Sequence, residues 1–147
     1  MKNMEQISFI KNCLAVSLLR AREIITRDLR SMLAEFDMTE QQWRVLRVLR
    51  EESPLEATEL ANRSCILSPS LTRILRTLEK RDFIIREKDP SDSRRSLLAL
   101  SREGIEMIDK ITPVGEAIYG AFVERFGKEK FQQLLTLLHE IEEMQSS

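Results

Sequence analysis

Ile7, Ile10, Leu14, Leu18, Ala21, Ile25, Leu29, Met32 and Phe36 follow one another at steps of three and four residues, with no glycine or proline among them. That spacing puts all nine on one side of a single α-helix of about eight turns, roughly 45 Å long at 1.5 Å per residue. The whole chain has 147 residues, enough for one domain with a real core. A helix this long is more than so small a domain needs to cover its own interior. Its outer part is therefore expected to pack against a second copy of the chain. Charged residues at 32% and aromatics at 5% favour a mostly helical protein over an all-β sandwich.

Thr39-Glu40-Gln41-Gln42 has the spacing of a capping box and starts a second helix, which carries Trp43, Leu46 and Leu49 inward and stops near Ser53-Pro54. A short helix from Ala57 to Arg63 follows. Ser68-Pro69 reads as an N-cap with proline at the first helical position, and Leu71, Ile74, Leu75 and Leu78 supply that helix with its buried stripe. "FIIRE" and "SLLAL" then flank a turn-forming loop from Lys88 to Arg95, which predicts a two-stranded hairpin. Ser101 opens a helix kinked by Pro113. Gly127 separates it from a last amphipathic helix with Phe131, Leu134, Leu138 and Ile141 inside. The predicted fold is mainly α with a small β-hairpin wing: a winged helix-turn-helix lobe over 38–101, with dimerisation helices over 1–37 and 102–147.

Between Arg63 and Arg95, nine Lys and Arg stand against five Asp and Glu, in a chain of formal net charge −1. A basic segment in an otherwise acidic protein is a footprint expected for nucleic acid, although a solvated helix face is often basic too. With Leu71, Ile74, Leu75 and Leu78 buried, the opposite face presents Pro69, Thr72, Arg73, Arg76 and Lys80, with Ser70 and Thr77 at its margins. A major groove admits one helix, whose first turns approach the base edges. Ser68, Ser70, Thr72 and Arg73 sit in those turns, while Arg76 and Lys80 are better placed for the DNA backbone. Arg94 and Arg95 fall near the hairpin tip, and a narrow minor groove draws arginine by its enhanced negative potential. Asp92 is expected to orient an arginine through a charge-assisted hydrogen bond.

These residues carry a family resemblance. "LEKRDFIIREKDPSDSRRSLLALSREG" resembles the wing segment of the MarR family of dimeric winged-helix repressors, with its Asp-x-Arg wing and following Leu-Ser-x-x-Gly. The likeness extends over nearly the whole chain. "RAREI", "TEQQWRVLRVL" and "SCILSPSLTRIL" are similar to the branch that controls breakdown of aromatic acids, of the homoprotocatechuate and hydroxycinnamate type. The resemblance implies base and phosphate contacts from Ser68, Ser70, Thr72 and Arg73, and minor-groove insertion by Arg94. One position departs: that branch commonly carries arginine where this chain has Ser68. The resemblance also implies a ligand pocket between the dimer helices and the DNA-binding lobe. An aromatic carboxylate needs a cation and an aromatic or apolar wall, and Arg22, Trp43, Arg47, Cys65 and Ile66 are the candidates. Plainer roles compete: Trp43 as core, Arg22 as a surface or dimer ion pair.

Other classes fit less well. The single histidine, His139, lies beside Glu140 without a nearby nucleophile. There is no Gly-rich phosphate loop, and no Cys/His set with metal spacing, so neither an enzyme nor a cofactor or metal is expected. A thiol-based redox-sensing repressor of the same fold, acting through Cys13 or Cys65, is the alternative. Such a thiol needs a lowered pKa and helpers, and both cysteines read instead as small buried apolar residues. No signal peptide or membrane span is legible, which predicts the cytoplasm. The expected protein is a homodimeric repressor released from a palindromic DNA operator by a small aromatic carboxylate.

Overall fold

The computed structural model describes residues 13–146. Six α-helices and a small sheet follow in the order α1 (Leu14–Ala34), α2 (Glu40–Glu51), β1 (Leu55–Glu56), α3 (Ala57–Ser64), α4 (Ser68–Lys80), β2 (Ile84–Asp89), β3 (Asp92–Leu100), α5 (Arg102–Phe126) and α6 (Lys128–Glu143), with a 3₁₀ turn at Met144–Ser146. The chain divides into two compact units: one takes the chain through Thr26 and again from Gly115 on, the other runs Arg27–Val114. Both boundaries fall inside helices, α1 and α5.

The second unit holds the core. Met32 and Leu33 at the end of α1, Val45, Leu46 and Leu49 of α2, Leu60 of α3, and Leu71, Leu75 and Leu78 of α4 are buried. Leu98 and Leu100 of β3 and Ile108 and Ile111 of α5 join them. Periodicity explains this. On α4 and α5 the buried residues recur at three and four positions, and on β3 at two.

α1 ends at Ala34 rather than reaching Phe36, because the chain turns over 35–37 and Asp37 takes a left-handed conformation, φ 52°. The expected positions Ile7 and Ile10 lie outside the described residues. α2 begins on the anticipated capping box: Thr39 Oγ1 accepts from Gln42 N–H, and Gln42 Oε1 accepts from Thr39 N–H, both at 3.0 Å. Thr39→Ala removes one of these acceptors and should lower stability by about 1 kcal/mol. Urea unfolding of the full chain checks it; an unchanged midpoint would mean that the box does not hold this helix.

α4 starts one residue earlier than expected. Leu67, with φ −66° and ψ 142°, is the N-cap, without a side-chain capping bond; Ser68 and Pro69 already lie in the first turn. The anticipated hairpin is one strand short of the real sheet, whose order is β1-β3-β2, all antiparallel. Leu55 pairs with Leu98 and Glu56 with Leu97, so β3 is the central strand. A two-residue strand is too short to show any alternation. The loop is also tighter than 88–95, since β2 runs to Asp89 and β3 starts at Asp92. Asp89 Oδ1 closes that turn by accepting from Ser91 N–H (2.9 Å) and Ser91 Oγ–H (2.7 Å).

The first unit is more open. α5 continues through Pro113 to Phe126, and α6 buries none of its side chains. Phe131, Leu134 and Leu138, expected inside, are half-buried, and Ile141 is exposed. Tyr119 meets Phe131 edge-on, with ring centroids 5.6 Å apart. Within one chain this apolar stripe has too little to pack on.

Candidate nucleic-acid interface

α4 presents a polar, basic face because its apolar residues are confined to one stripe. Thr72, Arg73, Arg76, Thr77 and Lys80 are exposed, as are Ser68 and Pro69 in the first turn; Ser70 is half-buried. Thr72 Oγ–H donates to Ser68 O (3.0 Å) and Thr77 Oγ–H to Arg73 O (3.3 Å). Each hydroxyl proton is thus committed to the helix, leaving oxygen lone pairs to face outward.

The wing adds a second set of cations. Arg94 lies on β3 and is 90% exposed in its side chain. Its Nε–H donates to Asp92 Oδ1 at 3.2 Å, and its own backbone N–H donates to the same oxygen at 3.1 Å. The Arg94 side chain, then its N–H, hold the Asp92 carboxyl below the usual carboxylate range. Asp92 therefore keeps its charge, and its hold on Arg94, until the pH falls below that range. Arg95, the neighbouring candidate, is differently placed: its guanidinium meets Glu56 at 3.0 Å. Across the sheet Arg86 meets Glu79 of α4 at 2.7 Å. These two pairs tie β3 to the start of α3 and β2 to the end of α4. Sequence reasoning did not find Glu56, Glu79 or Arg86, since their partners lie across turns.

The effector candidates divide. Arg22 is exposed on the part of α1 that belongs to the first unit, where Thr26 Oγ–H donates to its carbonyl at 2.7 Å. Trp43 and Arg47, one helical turn apart on α2, come together: the Arg47 guanidinium carbon lies 5.0 Å from the Trp43 ring centroid. Trp43 Nε1–H is buried and has no acceptor among the described residues. Arg47 also lines a cavity of about 310 Å³ with Arg50, Glu51, Ile108, Asp109 and Thr112. Arg50 donates to both Asp109 carboxylate oxygens (2.9 and 3.2 Å) and holds that carboxyl below its usual range. Cys65 and Ile66 do not line this cavity. Ile66 is core, whereas Cys65, expected to be buried, is exposed at the end of α3 in a left-handed conformation, φ 54°. Cys13 is half-buried.

Residues 38–96, from the start of α2 into the wing, match the sequence pattern of the MarR family. The HTH-type transcriptional regulator FarR of Neisseria gonorrhoeae is 38% identical over 132 residues, 90% of each chain. The chain belongs to the MarR family. Its MarR relatives also include the homoprotocatechuate degradative operon repressor of Escherichia coli, 37% identical over 86% of each chain. Among solved MarR-like structures, NadR in complex with 4-hydroxyphenylacetate is 37% identical, covers 90% of this chain and 97% of its own, and superposes with a TM-score of 0.81. The repressor CouR, bound to a 23-mer DNA duplex, is 26% identical, with coverage of 92% and 96% and a TM-score of 0.82. Among the described residues no helix is long and apolar enough to cross a membrane.

Proposed function

We propose that this MarR protein is a dimeric transcriptional repressor that binds a two-fold DNA operator and leaves it when a small aromatic carboxylate binds. The observation that carries the reading is the pairing of two reading elements: the basic face of α4, and Arg94 oriented by Asp92 on the wing. In this reading Ser68, Pro69, Ser70, Thr72 and Arg73 meet the major groove, Arg76 the backbone, and Arg94 the minor groove. Asp92 and Arg95 hold the wing. The lobe is 38–101. The helices over 1–37 and 102–147 form the dimer, which would cover Leu14, Leu18, Leu19 and Ile24 of α1 and Leu137 and Ile141 of α6, all exposed in the single chain. A two-fold site calls for a two-fold protein.

The effector reading rests on Trp43 and Arg47. An indole N–H without an acceptor, with a guanidinium over its ring, suits an aromatic ring carrying an anion. Two relatives point the same way by name, one a homoprotocatechuate repressor and one solved with 4-hydroxyphenylacetate. Arg22 is the candidate cation from α1. No catalytic step belongs to this function, and its place is the cytoplasm, where the operator is.

The test starts from a random-sequence DNA pool. The full-length protein should enrich one nearly palindromic sequence, bind it with an affinity that falls linearly on a log–log plot against salt, and release it when 4-hydroxyphenylacetate is added. No enrichment would overturn the operator reading. Enrichment without release by any of a panel of phenylacetates, benzoates and cinnamates would overturn the effector reading.

A further inference from the structure

We infer that Leu67 is a specificity residue, reading the 5-methyl group of a thymine in the major groove. The inference rests on the operator-binding reading above and adds to it a base and a residue.

Leu67 is 80% exposed. Among the described residues the other large apolar side chains that are more than half exposed, Leu14, Leu19, Ile24, Leu137 and Met144, all belong to the first unit, where a partner subunit would cover them. In the second unit the next most exposed are Ile85 at 43% and Val114 at 42%. Leu67 stands apart there. Single exposed apolar residues are ordinary on a protein surface, so exposure alone decides little. Its position decides more. Leu67 is the N-cap of α4, where serine, threonine, aspartate or asparagine would supply an acceptor to a first-turn amide, and it makes no such bond. The side chain therefore serves neither the helix end nor the core.

Its surroundings give the use. Cys65 and Pro69, on either side, are exposed as well, and Ser68, Thr72 and Arg73 adjoin them. This is a small apolar patch set in a polar, basic face at the end of the helix that enters the groove. In the major groove the one apolar group a base pair offers is the thymine methyl. Charge and hydrogen-bonding capacity on the rest of the face serve phosphate, guanine and adenine. Leu67 supplies what they cannot.

The test uses the full-length protein and the operator enriched from the random pool, with each thymine replaced in turn by deoxyuridine, which removes only the methyl. At one symmetric position the wild type should lose about fourfold per half-site, equivalent to ~0.8 kcal/mol at 1.4 kcal/mol per tenfold. Leu67→Ser, which offers α4 a capping oxygen, should fold at least as stably, bind the unmodified operator more weakly, and be indifferent to that replacement. Leu67→Ala should likewise be indifferent, without any new polar group. A wild type insensitive at every thymine, an operator lacking thymine, or variants as sensitive as the wild type would overturn the inference. Failure to enrich any DNA would instead remove the operator reading, and this one with it.

Discussion

Gly104→Ala is expected to destabilise the lobe by about 3 kcal/mol, although glycine to alanine inside a helix ordinarily gains about 1 kcal/mol. Gly104 is buried in the first turn of α5. A Cβ there would stand far inside hard contact with Phe83 O, and also 3.0 Å from Phe83 C. That carbonyl cannot step aside, because it accepts from Ser101 N–H at 3.0 Å. The junction is held from several sides: Ser101 Oγ donates to Asp82 O and accepts from Gly104 N–H, and Phe83 N–H donates to Leu78 O at 3.0 Å. The new methyl must push the start of α5 off the chain that links α4 to the wing. Urea unfolding at a fixed protein concentration measures it. Stability equal to or above wild type would show that the junction is loose.

Arg94→Ala should cost about 10- to 100-fold in operator affinity, the range of roughly 1.5–3 kcal/mol for a hydrogen bond to a charged group. It should also lower the slope of log affinity against log salt by about one. Folding stability should not change, since the side chain is 90% exposed. Asp92→Asn is the informative companion. It keeps the shape and removes the charge that holds the Arg94 guanidinium, so a smaller loss with an unchanged slope is expected. Fluorescence anisotropy over a salt series reads both. An Arg94→Ala protein that binds like the wild type would take the wing out of the interface.

The helices were legible because a 3.6-residue period survives in α1, α2 and α4 without help from distant residues. What the period does not say is whose surface covers the stripe. Phe131, Leu134, Leu138 and Ile141 of α6 were rightly seen as one face, yet a single chain leaves that face half-open. β1 escaped notice because it has two residues and exists only through its pairing with β3. The N-cap shifted from Ser68 to Leu67 because a Ser-Pro pair fits the cap-and-first-position pattern as well as it fits the first helical turn.

Charge counting misled in a different way. Of the cations between Arg63 and Arg95, Arg63 is held by Glu59 and Glu52, Arg86 by Glu79 and Arg95 by Glu56. Arg81 is turned to the carbonyls of Phe36 and Asp37. Glu52, Glu56 and Glu59 and the carbonyls of Phe36 and Asp37 lie outside the counted segment, so the sequence count overstates the charge left to meet DNA. Trp43 and Arg47 were easier, being i and i+4 on one helix. Leu67 carried no sequence signal at all, since an apolar residue before a helix reads as ordinary.

Among the described residues, three turns are made by residues other than glycine in the left-handed region: Asp37 (φ 52°), Cys65 (φ 54°) and Asp82 (φ 61°). For any residue with a Cβ that conformation costs on the order of 1 kcal/mol, and glycine escapes it. Aspartate and cysteine codons each differ from a glycine codon by one base. The gene therefore lies a single point mutation, at each of three places, from a more relaxed backbone. At Asp37 and Asp82 the group that neighbouring residues use is the main-chain carbonyl, which any substitution retains. At these two turns, random mutation of this gene has a short path to added robustness that leaves the reading surface untouched.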